Sequence, residues 1–423
     1  MPCTGSLVGV TKADFGALGR ESVVDPEDRL VPLVLLSVAL VCGMSTWFSA
    51  TAVVPQLDDV WALSSTAKAW LTIAVQVGFV VGAVVSALLN VADRVRPQLL
   101  MLGGCVGASL ANVAVVWAGG PQLGVPLRFL TGFFMAGVYP PAFKLVSTWF
   151  QRSRGTALGV LAGAIILGNA MPHLVNGIGG VDWESVVIAT SVLSALGGAA
   201  AITVRDGPFP FPTSVFDPRQ IGRVFANRGV RLASIGYFGH MWELFAMYAW
   251  FQVFFSDQLA TRGGEALPEA AFVTFAVIAV GSLGSLFAGV LADRWGRTNT
   301  TSLMLAVSGL CSLGIGLLFD GPTWPVMIVG LVWGFTVVAD SAQFSAIVTE
   351  TADQSYVGTA LTMQVAVGFT ITVATIWLIP ILETAVTWRW AFAILAIGPL
   401  VGIVAMLRLK RLPEAAKIAG GLG

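Results

Sequence analysis

What most constrains this chain is that its long apolar runs come as a duplicated set. Ala92-Asp93-Arg94 follows one such run, and Ala292-Asp293-Arg294-Trp295-Gly296-Arg297 follows another about two hundred residues later. Gly155-Thr156-Ala157-Leu158 is echoed by Gly358-Thr359-Ala360-Leu361, and Trp183 by Trp388, each just ahead of a new apolar run. Runs of roughly 18 to 25 apolar residues are long enough to cross a hydrocarbon core of about 30 Å as helices. About twelve are present, over 31–56, 66–89, 98–117, 121–146, 154–177, 183–204, 230–256, 268–291, 298–319, 322–347, 357–380 and 388–408. The expected fold is all-α and integral to the membrane: twelve transmembrane helices in two pseudo-symmetric six-helix bundles.

Composition agrees. Hydrophobic residues are 56% of the chain and charged residues 11%, with a mean hydropathy of +0.83, far from a soluble domain. Residues 1–30 carry Lys12, Arg20, Asp25, Glu27, Asp28 and Arg29 without an uninterrupted apolar core, which reads as a cytoplasmic lead and not a cleaved signal. With that end inside, eighteen of the 23 Lys and Arg residues fall in inner segments. Arg128 and Lys144 lie within helices, and Lys68, Arg262 and Arg389 fall outside. This bias places both termini of a multi-pass protein in the cytoplasm, and the Gly, Ala and Val richness suits a cell inner membrane. A stretch with Pro208, Pro210, Pro212 and Pro218 makes 205–229 a linker between bundles at 31–204 and 230–408, with 409–423 a cytoplasmic tail.

Catalytic chemistry is not expected. Cys3, Cys42, Cys105 and Cys311 have neither metal-type nor paired spacing, and the two histidines are far apart. No zinc, phosphate-loop or Ser-His-Asp pattern occurs, and the zero net charge hides no basic patch for nucleic acid. The reading is therefore not an enzyme, without cofactor or metal. The expected partners are a small-molecule substrate and membrane lipids.

The run Gly289-x-x-x-Asp293-Arg294-x-Gly296-Arg297 resembles the signature loop after the second helix of a half in the major facilitator superfamily of secondary transporters. The resemblance extends from about 31 to 408. The first-half counterpart departs from it: Leu89 stands at the Gly position, and Val95-Arg96-Pro97 replaces the Gly-Arg end. Arg128-x-x-x-Gly132 is similar to the family's second motif, a membrane-embedded Arg followed by a small residue. Gly159, Gly163 and Gly168 are similar to the antiporter motif of its drug exporters, but Pro172-His173 departs from that motif's end, and small residues that let helices approach suffice as an explanation. The resemblance implies a conformational gate on the cytoplasmic side, built from Asp93, Arg94, Gly289, Asp293, Arg294, Gly296 and Arg297, with Glu350 the partner of Arg297. It also implies a central cavity lined by helices 1, 4, 7 and 10, and a monomer.

Four charges stand inside the membrane: Arg128 and Lys144 in helix 4, Glu243 in helix 7 and Asp340 in helix 10. A charge facing lipid costs several kcal/mol, so each should face protein or water. Cations lie in the first half and acids in the second, all on the lining helices. The expectation is that Arg128 or Lys144 holds an anionic group of the substrate while Glu243 or Asp340 exchanges a proton. The competing reading pairs the four as salt bridges across the halves. Tyr237, His240, Glu243 and Met247 share one helical face, so His240 either shares a proton with Glu243 or makes a helix-packing hydrogen bond. Trp47, Tyr139, Gln252 and Gln343 are the further candidates for the substrate pocket, with Gln364, Trp242 and Trp250 as additional polar or aromatic groups. Pro140-Pro141 should kink helix 4.

These readings converge on a secondary active transporter of a small anionic or zwitterionic organic solute, working by alternating access with protons as the coupling ion. An efflux pump for amphipathic or cationic compounds is the alternative within transporters. A non-transporting membrane sensor or assembly factor is the alternative outside them, and the buried titratable groups argue against it.

Overall fold

The computed structural model describes residues 25–151, 153–178, 181–209, 218–262, 266–353 and 356–423, with the side chains of Ala92, Asp93, Arg154, Pro218, Ala266 and Leu267 outside the description. Regular structure among the described residues is helical. In the first half, α1 comprises Leu30–Met44 and, past a turn at 45–50, Thr51–Val53 and Val54–Trp61. α2 is Ser65–Leu88, and α3 is Pro97–Val113 with its extension Ala114–Trp117. α4 is Pro121–Met135 and Tyr139–Val146, α5 is Arg154–Gly177 and α6 is Trp183–Ile202.

The second half repeats the set. α7 is Arg228–Ala260, α8 is Ala266–Trp295, and α9 is Arg297–Gly314 with Ile315–Leu318. α10 is Thr323–Val337 and Ser341–Thr351. Nine stretches among the described residues are long and apolar enough to cross a membrane, the last being the 54 residues of Val357–Lys410. Thr387, at φ 60° and ψ 171°, breaks that stretch into α11 over 357–386 and α12 over 388–410. With α1 and α7, the arrangement is consistent with twelve crossings.

The interruptions have local causes. Ser45, Thr46, Ser49 and Thr51 crowd the turn in α1, where hydroxyls compete for backbone carbonyls: Ser45 Oγ donates to Cys42 O at 2.6 Å and to Thr190 O at 2.9 Å. In α4, Pro140 and Pro141 lack the N–H needed to continue a helix, so the rod stops at Met135 and restarts at Tyr139.

α1 packs on α5 and α6, α2 on α4, and α3 on α4 and α6; α7 packs on α11 and α12, α8 on α10, and α9 on α10 and α12. The repeat is visible at atomic scale in one pair of crossings. A Cβ on Gly132 would lie 2.0 Å from Val75 O in α2, and one on Gly334 would lie 1.8 Å from Val277 O in α8. Both crossings therefore require glycine on the fourth helix of the half. The halves meet along α5 with α8 and along α2 with α11.

Candidate functional site

The contact between the halves closes one end of the bundle and leaves the other open. Far from the chain ends, Ala52 O accepts from Asn176 Nδ2 at 2.6 Å and from Gln252 Nε2 at 2.8 Å. Gln252 Oε1 meets His173 Nδ1 at 2.5 Å. α1, α5 and α7 are thereby tied across the two halves into a lid. Beside it, a Cβ on Gly177 of α5 would sit 2.8 Å from Phe272 N of α8. Deeper in, Ser282 Oγ of α8 still donates to Gly163 O of α5 at 2.9 Å.

Toward the face that carries the chain ends, the same two helices part. Gly155 and Gly159 lie on the α5 face that Gly163 turns to α8, being spaced by fours, yet a Cβ on either would meet nothing within 4 Å. Gly289, two turns beyond Ser282 on α8, is equally free of neighbours. Asp293 and Arg294 are exposed and take part in no ion pair among the described residues. Arg94 is exposed as well, and the Asp93 side chain lies outside the described residues.

Arg128 is completely buried. Its Nη1 donates to Thr46 O at 2.9 Å, Ser49 Oγ at 3.0 Å and Asn112 Oδ1 at 2.7 Å, its Nε to Leu71 O at 3.3 Å, and its Nη2 to Trp47 O. Every nitrogen of the guanidinium is therefore engaged: Nη1 and Nη2 cap carbonyls that the turn in α1 sets loose, and Nε reaches a carbonyl of α2. In this state the cation expected at the substrate faces the framework of the first half. Lys144, in the last turn of α4, is half-buried.

In the second half Glu243 is buried between α7, α9 and α10. Its Oε2 accepts from Ser308 Oγ at 2.8 Å and its Oε1 from Trp333 Nε1 at 2.8 Å. The expected His240–Glu243 pair is not formed. His240 turns instead to Asp340, which stands where α10 is interrupted, with Nδ1 2.8 Å from Oδ1 and both side chains buried. The contact has the length of an ion pair but is not aligned as a hydrogen bond, and His240 Nε2 and Asp340 Oδ2 have no hydrogen-bond partner.

Between lid and opening, rings from both halves converge on the axis. Trp47 and Phe79 meet Phe369 at centroid distances of 5.7 and 4.8 Å, and Phe245 lies 5.2 Å from Phe369. Tyr139 stacks on Phe79 at 5.4 Å. Of the expected pocket residues, Trp47 and Tyr139 therefore sit on the axis. Gln252 belongs to the lid, and Gln343 lies in a clasp on the face bearing the chain ends. There Arg297 Nη2 donates to Glu350 Oε1 at 2.8 Å and Arg297 Nη1 to Gln343 Oε1 at 2.7 Å, all within the second half.

Asn112, Asn176 and Ser308, the neutral partners of this framework, were not legible in sequence, because a lone amide or hydroxyl in an apolar run has no pattern. Gln76 is a further residue of this kind: it is fully buried and both amide atoms lack partners.

Two packed bundles with polar nodes inside and a lid at one end define an integral membrane protein of the two-halved carrier type. The chain belongs to the Major Facilitator Superfamily, whose model matches residues 35–371 and 266–421. It is 24% identical over 288 residues to the MFS transporter asaE of Aspergillus flavus, covering 64% of this chain and 61% of that one. It is 23% identical over 303 residues to a gallate transporter of Pseudomonas putida, covering 63% and 66%. The chain thus spans less than two thirds of the length of either relative. Its fold is similar to a bacterial homolog of the human lysosomal transporter Spinster in an inward-facing, occupied conformation, with a TM-score of 0.70 at 14% identity over 92% of this chain and 98% of that one. The family is one of transporters, not enzymes.

Proposed function

We propose that this protein is a secondary active transporter that moves a small organic solute across a membrane by alternating access, with protons as the coupling ion. One observation carries the reading: α5 and α8 touch from the lid to Gly163 and Ser282, then part, leaving Gly155, Gly159 and Gly289 in open space. A bundle sealed at one end and open at the other, along helices that belong to opposite halves, is one of the two states such a cycle needs. With the chain ends in the cytoplasm, as the charge bias implies, this state faces inward.

The proton site is the His240–Asp340 pair. Glu243 already has both oxygens occupied by donors, whereas His240 and Asp340 each keep a buried polar atom without a partner. A proton that binds there changes the charge of the helix 7 to helix 10 contact, which is a way to bias the two states. The anionic or zwitterionic solute expected from the sequence loses Arg128 as an anchor, because that guanidinium is engaged. An exporter of amphipathic compounds is the second reading, favoured by the ring cluster on the axis.

The test uses the purified protein in vesicles. Thermal unfolding against carboxylates, amino acids, sugars and lipophilic cations at pH 5.5 and 7.5 selects a ligand, since binding to the folded state raises stability. An imposed pH gradient should then drive accumulation of that ligand, and Asp340→Asn should lose accumulation while keeping exchange. Accumulation that ignores the gradient would overturn proton coupling. Outward movement under the cell's own gradient would decide for the exporter.

A further inference from the structure

The ring cluster on the axis is bordered by buried polar atoms that nothing in the protein satisfies. Trp47 and Tyr248 belong to the cluster themselves: Trp47 lies 6.1 Å from Phe245 and Tyr248 lies 6.3 Å from it, on the other side of the same ring system. Trp47 Nε1 and Tyr248 OH have no hydrogen-bond partner. Gln76 stands at the same depth. Thr72 of α2 meets Thr51 of α1 through hydroxyls 2.7 Å apart, so Gln76, one turn further along α2 on the same face, comes level with Trp47 and Phe48. Neither its Oε1 nor its Nε2 has a partner, and Phe79 follows it by three residues.

The level of this group in the bundle is equally defined. Trp47 and Phe48 lie about one turn before Ala52, and Tyr248 one turn before Gln252, the two residues that close the lid. The group therefore lies about one turn below the lid, on a contact shared by both halves.

Leaving a donor or acceptor buried without a partner costs free energy, and in lipid no water stands by to offset it. Leucine, phenylalanine and phenylalanine would fill the places of Gln76, Trp47 and Tyr248 with no such cost. Flat walls also carry information: ring faces from both halves receive a flat ring by stacking, while a sugar or an aliphatic chain gains little from them. The edge atoms supply an indole donor, an amide donor and acceptor, and a phenolic hydroxyl. Arg128 borders the group through its bond to Trp47 O, its nitrogens held by backbone, hydroxyl and amide oxygens of the first half.

We propose that Trp47, Gln76 and Tyr248, with the walls Phe79, Phe245 and Phe369, form the solute subsite and that its ligand is a planar aromatic ring bearing hydroxyl or amide groups at its edge. This rests on the transporter reading above and names the class of its solute. The walls touch one another in this state, Phe79 and Phe245 lying 4.8 and 5.2 Å from Phe369, so the solute ring parts them as it enters; the Trp47 and Gln76 N–H groups donate to an edge oxygen, and Gln76 Oε1 accepts from an edge hydroxyl. Because the walls come from opposite halves, a bound ring bridges the contact that must rearrange in the cycle.

The experiment measures binding to the full chain in detergent with four probes: 4-hydroxybenzamide, 4-hydroxybenzoate, cyclohexanecarboxylate and D-xylose. The expected result is that the two aromatic probes raise the unfolding temperature and the other two do not. Gln76→Leu and Trp47→Phe should each weaken 4-hydroxybenzamide about tenfold, or ~1.4 kcal/mol. The same Gln76→Leu protein, with no ligand added, should unfold at a temperature equal to or above that of the parent, because an orphaned amide is gone. A residue kept only for packing would shift both readouts downward together, and that result overturns the proposal. Binding of D-xylose or cyclohexanecarboxylate in preference to the aromatic probes overturns the solute class while leaving the transporter reading intact. If no probe binds, a thiol introduced as Gly159→Cys separates the cases: labelling from the open face that changes with an imposed pH gradient leaves transport standing and the aromatic class overturned, whereas labelling that never changes removes both.

Discussion

The two halves meet the same packing demand with charges of opposite sign. In each, the fourth helix sends a donor to the first helix beside a polar residue of the third. Arg128 of α4 donates to the turn in α1 and to Asn112 of α3. Trp333 of α10 donates to Glu243 of α7, which also accepts from Ser308 of α9. The difference lies in the first helix of the half. α1 is interrupted at 45–50 and releases carbonyls inward, which a donor-only cation can cap, whereas α7 runs unbroken over Arg228–Ala260 and offers no carbonyl, so a carboxylate supplies the acceptors. The sign of the charge at each of these two nodes follows from whether the first helix of the half is broken.

The same contrast recurs at the face with the chain ends. In the first half, the segment after α6 docks through neutral donors, without an ion pair: Gln98 Nε2 donates to Val204 O at 3.0 Å and Asp206 Oδ1 at 2.8 Å, and Gly207 N donates to Thr148 Oγ1 at 2.8 Å. In the second half, the segment after α12 docks at the equivalent place on an ionic clasp. Ala419 N donates to Glu350 Oε2 at 3.1 Å beside Arg297, and Thr298 N to Gly423 O at 3.2 Å. Gly296, at φ +94°, admits that backbone, since a Cβ there would lie 2.5 Å from Leu422 O. The half that keeps the Gly-Arg end of the signature loop has the ionic clasp, and the half with Arg96-Pro97 in its place has the neutral one.

Substitutions break this comparison in order of size. Arg128→Ala strands several buried acceptors at once and should cost at least about 3 kcal/mol, read as a lowered unfolding temperature in detergent. Arg128→Lys should not restore it, because a single ammonium cannot span the acceptors a planar fork reaches. Glu243→Leu orphans the Trp333 donor and leaves Ser308 only Leu305 O, and should cost about 2 kcal/mol, whereas Glu243→Gln, which still accepts one bond, should stay within about 1 kcal/mol of the parent. A Glu243→Leu protein as stable as the parent would refute the node in the second half.

Much of this was legible in the sequence and some was not, for physical reasons. The apolar runs and the duplicated Asp-Arg pairs specified twelve helices in two halves, because lipid admits few other solutions for a chain of this composition. The place of the break in α4 was legible from Pro140-Pro141, which cannot donate. The directions of the buried side chains were not. His240 and Glu243 share a helical face at a spacing of three, yet one turns to α10 at Asp340 and the other to α9 and α10 at Ser308 and Trp333. Helical spacing fixes a face about a hundred degrees wide, and in a packed bundle two neighbours touch within that width. The partners of Gln252 and Gln343 were not legible for the same reason: an amide in an apolar run declares that it needs a partner, but not whether the partner is a solute, a lid or a clasp.

Smaller effects sharpen the contrast at the clasps. Gly296→Ala forces a side chain into a left-handed backbone and against Leu422, which should cost about 1 to 2 kcal/mol in unfolding measurements. Gln98→Leu, which removes a neutral donor at the matching place in the first half, should cost about 1 kcal/mol. Equal losses would show that the ionic and neutral clasps are interchangeable.

Alternating access itself is tested most directly by thiol labelling from each face of the membrane, in a background without native cysteines. Two positions suffice: Gly159→Cys in the open gap between α5 and α8, and Ser256→Cys, buried on α7 one turn beyond the lid residue Gln252. In the state described, Gly159→Cys should label rapidly from the face bearing the chain ends, and Ser256→Cys slowly. Adding a transported solute or reversing the pH gradient should slow the first and speed the second. Labelling rates at both positions that rise and fall together, or that never respond, would contradict the account.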